Sequence, residues 1–198
     1  MKTFTASLSN PPTTQWPDFG GRPKRVNLDQ IAAVKGYGKL IIRPIRLEDE
    51  LEMIRFHQGI SEESIYMRYF EYLGLDRRTS HERLMQICAN TPESYAIVVE
   101  WPETPYHSAA ILAVGRLTQT LEPYITSFDT LITDTDKAPQ LGKLLLRRLI
   151  KLARAFDFRV LIGELLVVDH DTLNICRALG FSLLTIPQDG LVRVTLDL

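Results

Sequence analysis

The turn from an apolar strand into a long amphipathic helix, within Leu131–Phe156, is where this sequence shows the clearest capacity for binding chemistry. Apolar residues recur along the helix at three- and four-residue steps, and lysines and arginines occupy the other face. A helix that starts directly after a strand aims free backbone N–H groups and its positive dipole end at one point. Such a point favours an anion, typically phosphate. The sequence therefore predicts an anion site near Lys137, Gly142 and Lys143, with a plain strand–helix connection as the alternative.

Carboxylates on the neighbouring strands are the second set of side chains that could do chemistry. Glu164 lies within the apolar run VLIGELLV, and Asp129 lies on the strand before the helix. A carboxylate buried among apolar residues needs a cationic partner or holds its proton more tightly, and the second state suits a general acid or base. We expect Glu164 to be buried as a base or in an ion pair with an arginine, and Asp129 to be either a base or a solvated strand residue.

Composition excludes several classes of protein. The chain has 198 residues, is 45% hydrophobic and 24% charged, and has a net charge of −1, which fits one sizeable core and argues against nucleic acid as a partner. It has no apolar run near the roughly 18 residues of a membrane span and no secretory signal. Cys88 and Cys176 are expected to be free thiols in the cytoplasm. The four histidines show no paired ligand spacing, so we expect no metal site.

The order of elements indicates a mixed α/β domain over residues 38–198. Residues 1–37 contain four prolines and are predicted to form an extended arm that packs little, with a short ordered piece at Val26–Val34. Besides the long helix, three helices are expected to start near Leu47, Ser61 and Ser80, and another covers Asp169–Leu179. The strands are predicted by β-branched or alternating apolar runs at Lys39–Arg46, Tyr95–Trp101, Ala109–Thr118, Tyr124–Ile132, Val160–Val167, Phe181–Ile186 and Leu191–Leu196.

Three segments of the sequence carry a resemblance to a known family. The opening LIIRPIRLEDE with SEESIYMRYF, and the closing GELLVVDHDTLNICRALGF, are similar to the GNAT domains of bacterial protein-lysine acetyltransferases. The resemblance covers about residues 38–198. It implies the GNAT fold, a mixed central sheet flanked by helices, with acetyl-CoA as co-substrate and no metal. It also implies direct attack by an amine, either a protein lysine or a small molecule. A homodimer stays open.

The resemblance also implies where acyl-CoA would bind. The family holds the pyrophosphate on backbone amides of the strand-to-helix turn, where this chain has Gln140 in place of a glycine and Pro139 without an N–H. Lys137 stands where the family has glutamine or arginine, and Asp169 follows the next strand, where it is also a candidate helix N-cap. The implied cofactor-binding residues are Leu131, Ile132, Thr133, Lys137, Ala138, Gln140, Leu141, Gly142, Lys143 and Asp169. The strand end Leu165–Val167 is expected to share the pantetheine arm.

Catalysis is the part of the resemblance that the residues fulfil least. The family position for a glutamate base is Ser127, which cannot act as a carboxylate. Asp129 repeats on the same strand face, and Glu164 is ranked above it because its strand is more apolar. Cys176 replaces a tyrosine and is expected to be core. A weak or inactive module that binds acyl-CoA or a protein is therefore the alternative, and an interaction protein acting through the basic residues 22–25 is a third.

Overall fold

The computed structural model describes residues 17–20, 23, 27–135 and 138–198, and their central feature is one eight-stranded mixed sheet. The strands are β1 (Gln30–Val34), β2 (Gly38–Pro44), β3 (Ser94–Trp101), β4 (Ala110–Gln119), β5 (Ile125–Ile132), β6 (Val160–Leu166), β7 (Ser182–Ile186) and β8 (Leu191–Asp197). A 3-10 turn at Leu47–Asp49 leads into the helices. These are α1 (Glu50–Gln58), α2 (Glu62–Tyr69), α3 (Leu75–Arg78), α4 (His81–Cys88), α5 (Ala138–Ala155) and α6 (His170–Ala178).

The sheet order is β1-β2-β3-β4-β5-β6-β8-β7, and every neighbouring pair is antiparallel except β5 and β6. The predicted meander of three antiparallel strands is confirmed as β3-β4-β5. The single parallel pair follows from connectivity, because α5 carries the chain back across the sheet before β6 begins. The mixed α/β class predicted from the sequence is confirmed.

Alternating side chains give the sheet a core on each face. On one face α5 and α6 pack against residues such as Phe128 of β5, and on the other α1 and α4 pack against residues such as Leu131. The apolar stripe of α5 is confirmed, with Leu145 and Leu149 fully buried. A Cβ atom at Gly115 of β4 would lie 2.9 Å from Leu149 Cδ1, so glycine there lets α5 approach the sheet closely.

The described parts of the N-terminal segment differ from the predicted arm. Residues 30–34 form β1, which pairs with β2 along its whole length, and the Phe19 side chain is buried in the core. Arg148, a buried residue of α5, donates hydrogen bonds to the backbone oxygens of Asn27 and Leu28. The expectation that this segment packs little is therefore wrong for these residues, whereas the short ordered piece expected within residues 26–34 is present as β1. Apolar and polar residues alternate only weakly in β1, so the sequence alone does not mark it as a strand. Pairing with β2 makes it one.

Smaller differences concern element ends. Pro44 is the last residue of β2, which lies between β1 and β3 in the sheet. The helices expected near Leu47, Ser61 and Ser80 are all present, and α3 is an addition that the sequence analysis missed. None of the described helices has the length and apolar character needed to cross a lipid bilayer.

Candidate active site

The parallel strands β5 and β6 separate part-way along their length. They pair at Ile125 with Val160, Thr126 with Leu161 and Ser127 with Ile162, and pairing stops there although both strands continue. The space between the diverging strands opens into a cleft of about 880 Å³ that α2 and the start of α5 also line. This volume lies within the roughly 300–1,000 Å³ of typical small-molecule sites.

Backbone groups on both strands face this gap without a strand partner. The Thr133 amide donates to the Leu112 oxygen on β4, and the Val167 amide donates to the Gly190 oxygen beside β8, so both point away from the gap. Because backbone groups alternate sides along a strand, those of Ile132 and Leu166 point into it. Of the residues predicted to bind pantetheine, Ile132 therefore has backbone groups that face the gap. The Thr133 N–H is not available, because it donates to the Leu112 oxygen on β4.

The floor of the cleft depends on a glycine beneath an aromatic ring. A Cβ atom at Gly163 would lie 2.6 Å from Phe128 Cε1, which is closer than side chains tolerate. The Phe128 ring packs in turn against Phe181, with ring centroids 5.6 Å apart. Glycine at position 163 thus lets the Phe128 ring pack directly against β6, where both residues line the cleft.

The three residues singled out for catalysis all line this one cleft. Ser127, Asp129 and Glu164 lie on the face toward α2. The Glu164 side chain is 42% exposed and pairs at 2.7 Å with Arg193, its cross-strand neighbour on β8. The expected burial of Glu164 is therefore wrong, because its side chain points to the open cleft side of an otherwise apolar strand, and the alternative of an arginine ion pair is confirmed.

Asp129 is the less exposed of the two carboxylates. Its side chain is 29% exposed and forms a salt bridge with Arg68 of α2. Ser127 lies two residues before it on the same face and donates from Oγ to the Thr118 oxygen at 3.3 Å. The structure thus places a serine and a carboxylate on the same cleft wall. Partial burial was expected for Glu164, but Asp129 is the more buried of the two carboxylates.

The start of α5 forms the far end of the cleft. Ala138 and Pro139 line it, Gln140 is exposed, and Lys143 is partly buried. Gln140 lies within the regular helix and has no left-handed backbone, so the conformational reason for a glycine does not apply there. Lys137 and the basic residues of the N-terminal segment, at positions 22, 24 and 25, lie outside the described residues.

Gly142 and Leu141 are buried beneath that helix start. A Cβ atom on Gly142 would lie 2.9 Å from Ile132 Cδ1 and 3.0 Å from Ile175 Cδ1. Glycine is therefore explained at this position by close packing of α5 against β5 and α6. Whether its amide also contacts a ligand stays a prediction, as do the roles of the other cofactor-binding residues.

Two predicted structural roles around α6 are confirmed. Asp169 is the N-cap, and its Oδ1 accepts a hydrogen bond from the Thr172 amide at 3.0 Å, while its side chain also lines the cleft. Cys176 is fully buried in the core, where burial and then the nearby Asp169 raise the pKa of its thiol to about 12. Cys176 therefore cannot readily supply a proton to a leaving group.

Asp134, which no sequence pattern singled out, connects the loop after β5 to α2. Asp134 accepts hydrogen bonds from the Ser61 amide and the Ser64 hydroxyl at the start of α2, where the Ser61 side chain is the N-cap. An aspartate directly after a predicted strand was the only available signal, and its partner is about 70 residues away in sequence. Within the described ranges, no group of three or more histidine, cysteine or acidic side chains is arranged to hold a metal ion.

A smaller chamber of about 220 Å³ adjoins the cleft on the α1–α4 side of the sheet. Arg68, Asp129 and Leu131 line both spaces and form the wall between them. His57 of α1 faces the chamber and is only 1% exposed. Among the residues that the structure describes, neither ring nitrogen of His57 has a hydrogen-bond partner.

His57 should make stability fall in mild acid. Burial, with repulsion from Arg78 and Arg83, lowers the pKa of His57 from 6.5 to about 4. Between these values the unfolded chain binds a proton that the folded chain does not, so stability is lost as pH falls through that window. At roughly 1.4 kcal/mol per pKa unit the loss is about 3 kcal/mol. Urea unfolding of wild type and His57→Leu at pH 7 and pH 4.5 measures it.

The leucine variant replaces the titrating ring with an apolar side chain of similar volume. Its free energy of unfolding should therefore fall much less between pH 7 and pH 4.5 than that of wild type. His170→Gln is the matched control, because His170 is exposed. Equal slopes for wild type and His57→Leu would contradict the argument.

The fold and the split strands define the class of this domain. It has the GNAT fold, shared with solved acetyltransferase domains. The GNAT domain of S. lividans PAT matches with a TM-score of 0.73 and 18% identity, covering 86% of this chain and 97% of that chain. Mycobacterium smegmatis RimJ in complex with CoA-disulfide matches with a TM-score of 0.68 and 11% identity, covering 89% and 90%.

A third solved structure adds a bound acetyl group. The putative acetyltransferase yncA from Salmonella typhimurium, with its cofactor acetyl-CoA, matches with a TM-score of 0.56 and 17% identity, covering 80% of this chain and 93% of that chain. No protein-family model matches the sequence. The resemblance to GNAT domains drawn from the sequence is thus confirmed at the level of fold.

Proposed function

We propose that this protein is an acyl-CoA-dependent N-acetyltransferase that passes an acetyl group to an amine. The observation that carries the proposal is the separation of β5 from β6 after Ser127, which leaves unpaired strand edges along a cleft of about 880 Å³. The exposed backbone suits an extended amide-containing chain such as pantetheine, which adds hydrogen bonds as a further strand would. The GNAT fold of the neighbours supports the same assignment by analogy.

The proposed reaction is direct attack. The neutral amine forms a bond to the thioester carbonyl carbon and the carbon–sulfur bond breaks. The proton that the new amide nitrogen loses passes through water to the leaving thiolate, so that CoA departs as the thiol. The amine must lose a proton, and a free lysine has a pKa near roughly 10.4, so a positioned base accelerates the step. Asp129 is the candidate base, because it lies on the cleft wall and is less exposed than Glu164. Its salt bridge to Arg68 must loosen when the amine binds.

The described residues fit the two ends of acetyl-CoA unequally. The strand edges fit the pantetheine arm, whereas the phosphate end would meet a helix start that lacks one N–H at Pro139. Asp169 and Asp171 also line the cleft, and their charge opposes phosphate. Binding then depends on the remaining amides of α5 and on lysines such as Lys143.

Calorimetric titration with acetyl-CoA and with CoA tests the proposal before any acceptor is known. We expect binding that weakens several-fold in Lys143→Ala, with a smaller salt dependence, because a phosphate contact is partly electrostatic. Lys151→Ala is the matched control, since Lys151 is an exposed lysine two turns further along α5. Gln140→Gly is expected to bind more tightly because its side chain no longer limits the approach of the phosphates. Absence of binding by wild type would remove the proposal.

A non-catalytic module that binds acyl-CoA is the second candidate. Ser127 at the family base position and the ion pairs of both cleft carboxylates favour it. A carboxylate held by a guanidinium is a weaker acceptor for an incoming proton. Tight CoA binding without turnover across a broad amine panel would establish this alternative.

A further inference from the structure

The small chamber beside the cleft carries an excess of positive charge. Arg68, Arg83 and Arg116 line it, and Asp129 is the one acidic side chain among its described lining residues. Arg68 and Arg83 both pack over the Tyr69 ring, with their guanidinium carbons 4.9 Å and 5.2 Å from the ring centroid. Cation–π contacts of this kind fix the position of a guanidinium without using its N–H groups.

Arg116 is held in place in a different way. It donates to the Ser94 hydroxyl at 2.6 Å and to the Ile87 oxygen, and it faces Asp129 across the sheet. Burial lowers the pKa of Arg116, Asp129 offsets part of this, and repulsion from Arg68 adds to it. A buried charge in this setting lacks full compensation, and an incoming anion would supply it.

Unused donors point to the kind of anion. Within the described part of the chain, Arg83 Nε and both His57 ring nitrogens are buried without hydrogen-bond partners. A neutral imidazole offers one N–H, and a guanidinium offers an edge that matches a planar group with two oxygens. Two donor groups beside apolar residues such as Met53 and Val114 therefore match a carboxylate better than a phosphate, which has a third oxygen to satisfy.

Size and position relate the chamber to the reaction. At about 220 Å³ it is smaller than typical ligand pockets and holds only the end of a molecule. Its shared wall with the cleft contains Asp129, the candidate base, so a molecule with its anion in the chamber would present its other end near the separated strands. We propose that the chamber binds the carboxylate of the acceptor, which is thus an amine of amino-acid size. This inference rests on the proposed acetyl transfer.

The experiment compares each common amino acid with its α-carboxamide as the acceptor, and adds O-phosphoethanolamine as a phosphate-bearing amine. We expect kcat/KM with acetyl-CoA to favour at least one carboxylate over its carboxamide by roughly 10- to 100-fold, the value of one charge-assisted contact. Carboxamide amines are less basic and more often neutral, so basicity alone would favour the opposite result. In Arg83→Gln the ratio should approach one, through a higher KM for the amino acid with little change in the KM for acetyl-CoA.

Arg77→Gln is the matched control, because Arg77 is an exposed arginine on α3 outside the chamber. It should keep the wild-type ratio. Three outcomes would overturn the proposal and leave acetyl transfer standing. They are equal kcat/KM for carboxylate and carboxamide, an equal fall in kcat/KM for both in Arg83→Gln, and a preference for O-phosphoethanolamine.

Two further measurements keep the inference separate from the proposed function and from folding. If no amine is acetylated, binding of the same amino acids is measured by calorimetry. Binding that requires the carboxylate and is lost in Arg83→Gln supports the proposal, whereas absence of binding to wild type refutes it. If Arg83→Gln does not fold, butyrate is tested on wild type. Inhibition competitive with the amine supports the proposal, and the absence of inhibition contradicts it.

Discussion

Deletion of residues 1–37 is expected to unfold the domain or lower its thermal midpoint by tens of degrees. The truncation removes β1 and so exposes the edge of β2, and it removes Phe19 from the core. It also takes away the backbone oxygens that accept from the buried Arg148 guanidinium. Leaving a buried donor unsatisfied costs about 1–3 kcal/mol or more, and the whole domain is stable by only about 5–15 kcal/mol.

Phe19→Ala separates the contribution of the aromatic contact from that of the strand. The Phe19 ring packs against Phe156 and Phe158 with centroids 5.0 Å and 5.1 Å apart. Removing a buried phenylalanine typically costs about 3–5 kcal/mol, which corresponds to roughly 6–20 °C in a chain of this size. Tyr106→Ala is the control, because that ring is almost fully exposed. Thermal unfolding followed by circular dichroism gives the midpoints of wild type, the truncated protein, Phe19→Ala and Tyr106→Ala. A truncated protein that melts like wild type would refute the structural role of residues 1–37.

Asp129→Asn is expected to lower acetyl-transfer turnover by roughly 100-fold or more, and Glu164→Gln by less than about tenfold. General base assistance is worth about 100- to 10,000-fold. The ranking reverses the one drawn from the sequence, because Glu164 is the more exposed carboxylate and is held by Arg193, whereas Asp129 borders both cavities. Single-turnover rates with a saturating amine measure the effect.

A pH profile distinguishes a base from a residue that only holds Arg68 in place. With the base gone, the rate of Asp129→Asn should rise with pH in proportion to the fraction of neutral amine. The wild-type rate should change less over the same pH range, because the enzyme itself removes the proton. Adding Ser127→Glu to Asp129→Asn should restore part of the rate, since it places a carboxylate two residues away on the same face. A larger loss in Glu164→Gln would reverse the assignment, and no loss in either variant would mean that no side-chain base acts.

Local patterns in the sequence predicted the elements that make up the cleft. The apolar stripe of α5 and the β-branched runs of β3 to β6 depend on periodicity within a short window, and periodicity survives into the fold. Asp169 as an N-cap is equally local, because its partner, the Thr172 amide, is three residues away. The resemblance to GNAT domains added the topology, which single elements do not determine.

Contacts between distant residues were decided only by the tertiary structure. Glu164 lies in an apolar run, yet β5 and β6 separate before it. Its side chain therefore faces the open cleft, where it pairs with Arg193. β1 is a strand because β2 offers it an unpaired edge. The chamber arginines are 15 to 48 positions apart in sequence and converge because α2, α4 and β4 pack together. Residue type and spacing along a chain determine local periodicity, whereas burial and charge pairing depend on which distant surfaces meet.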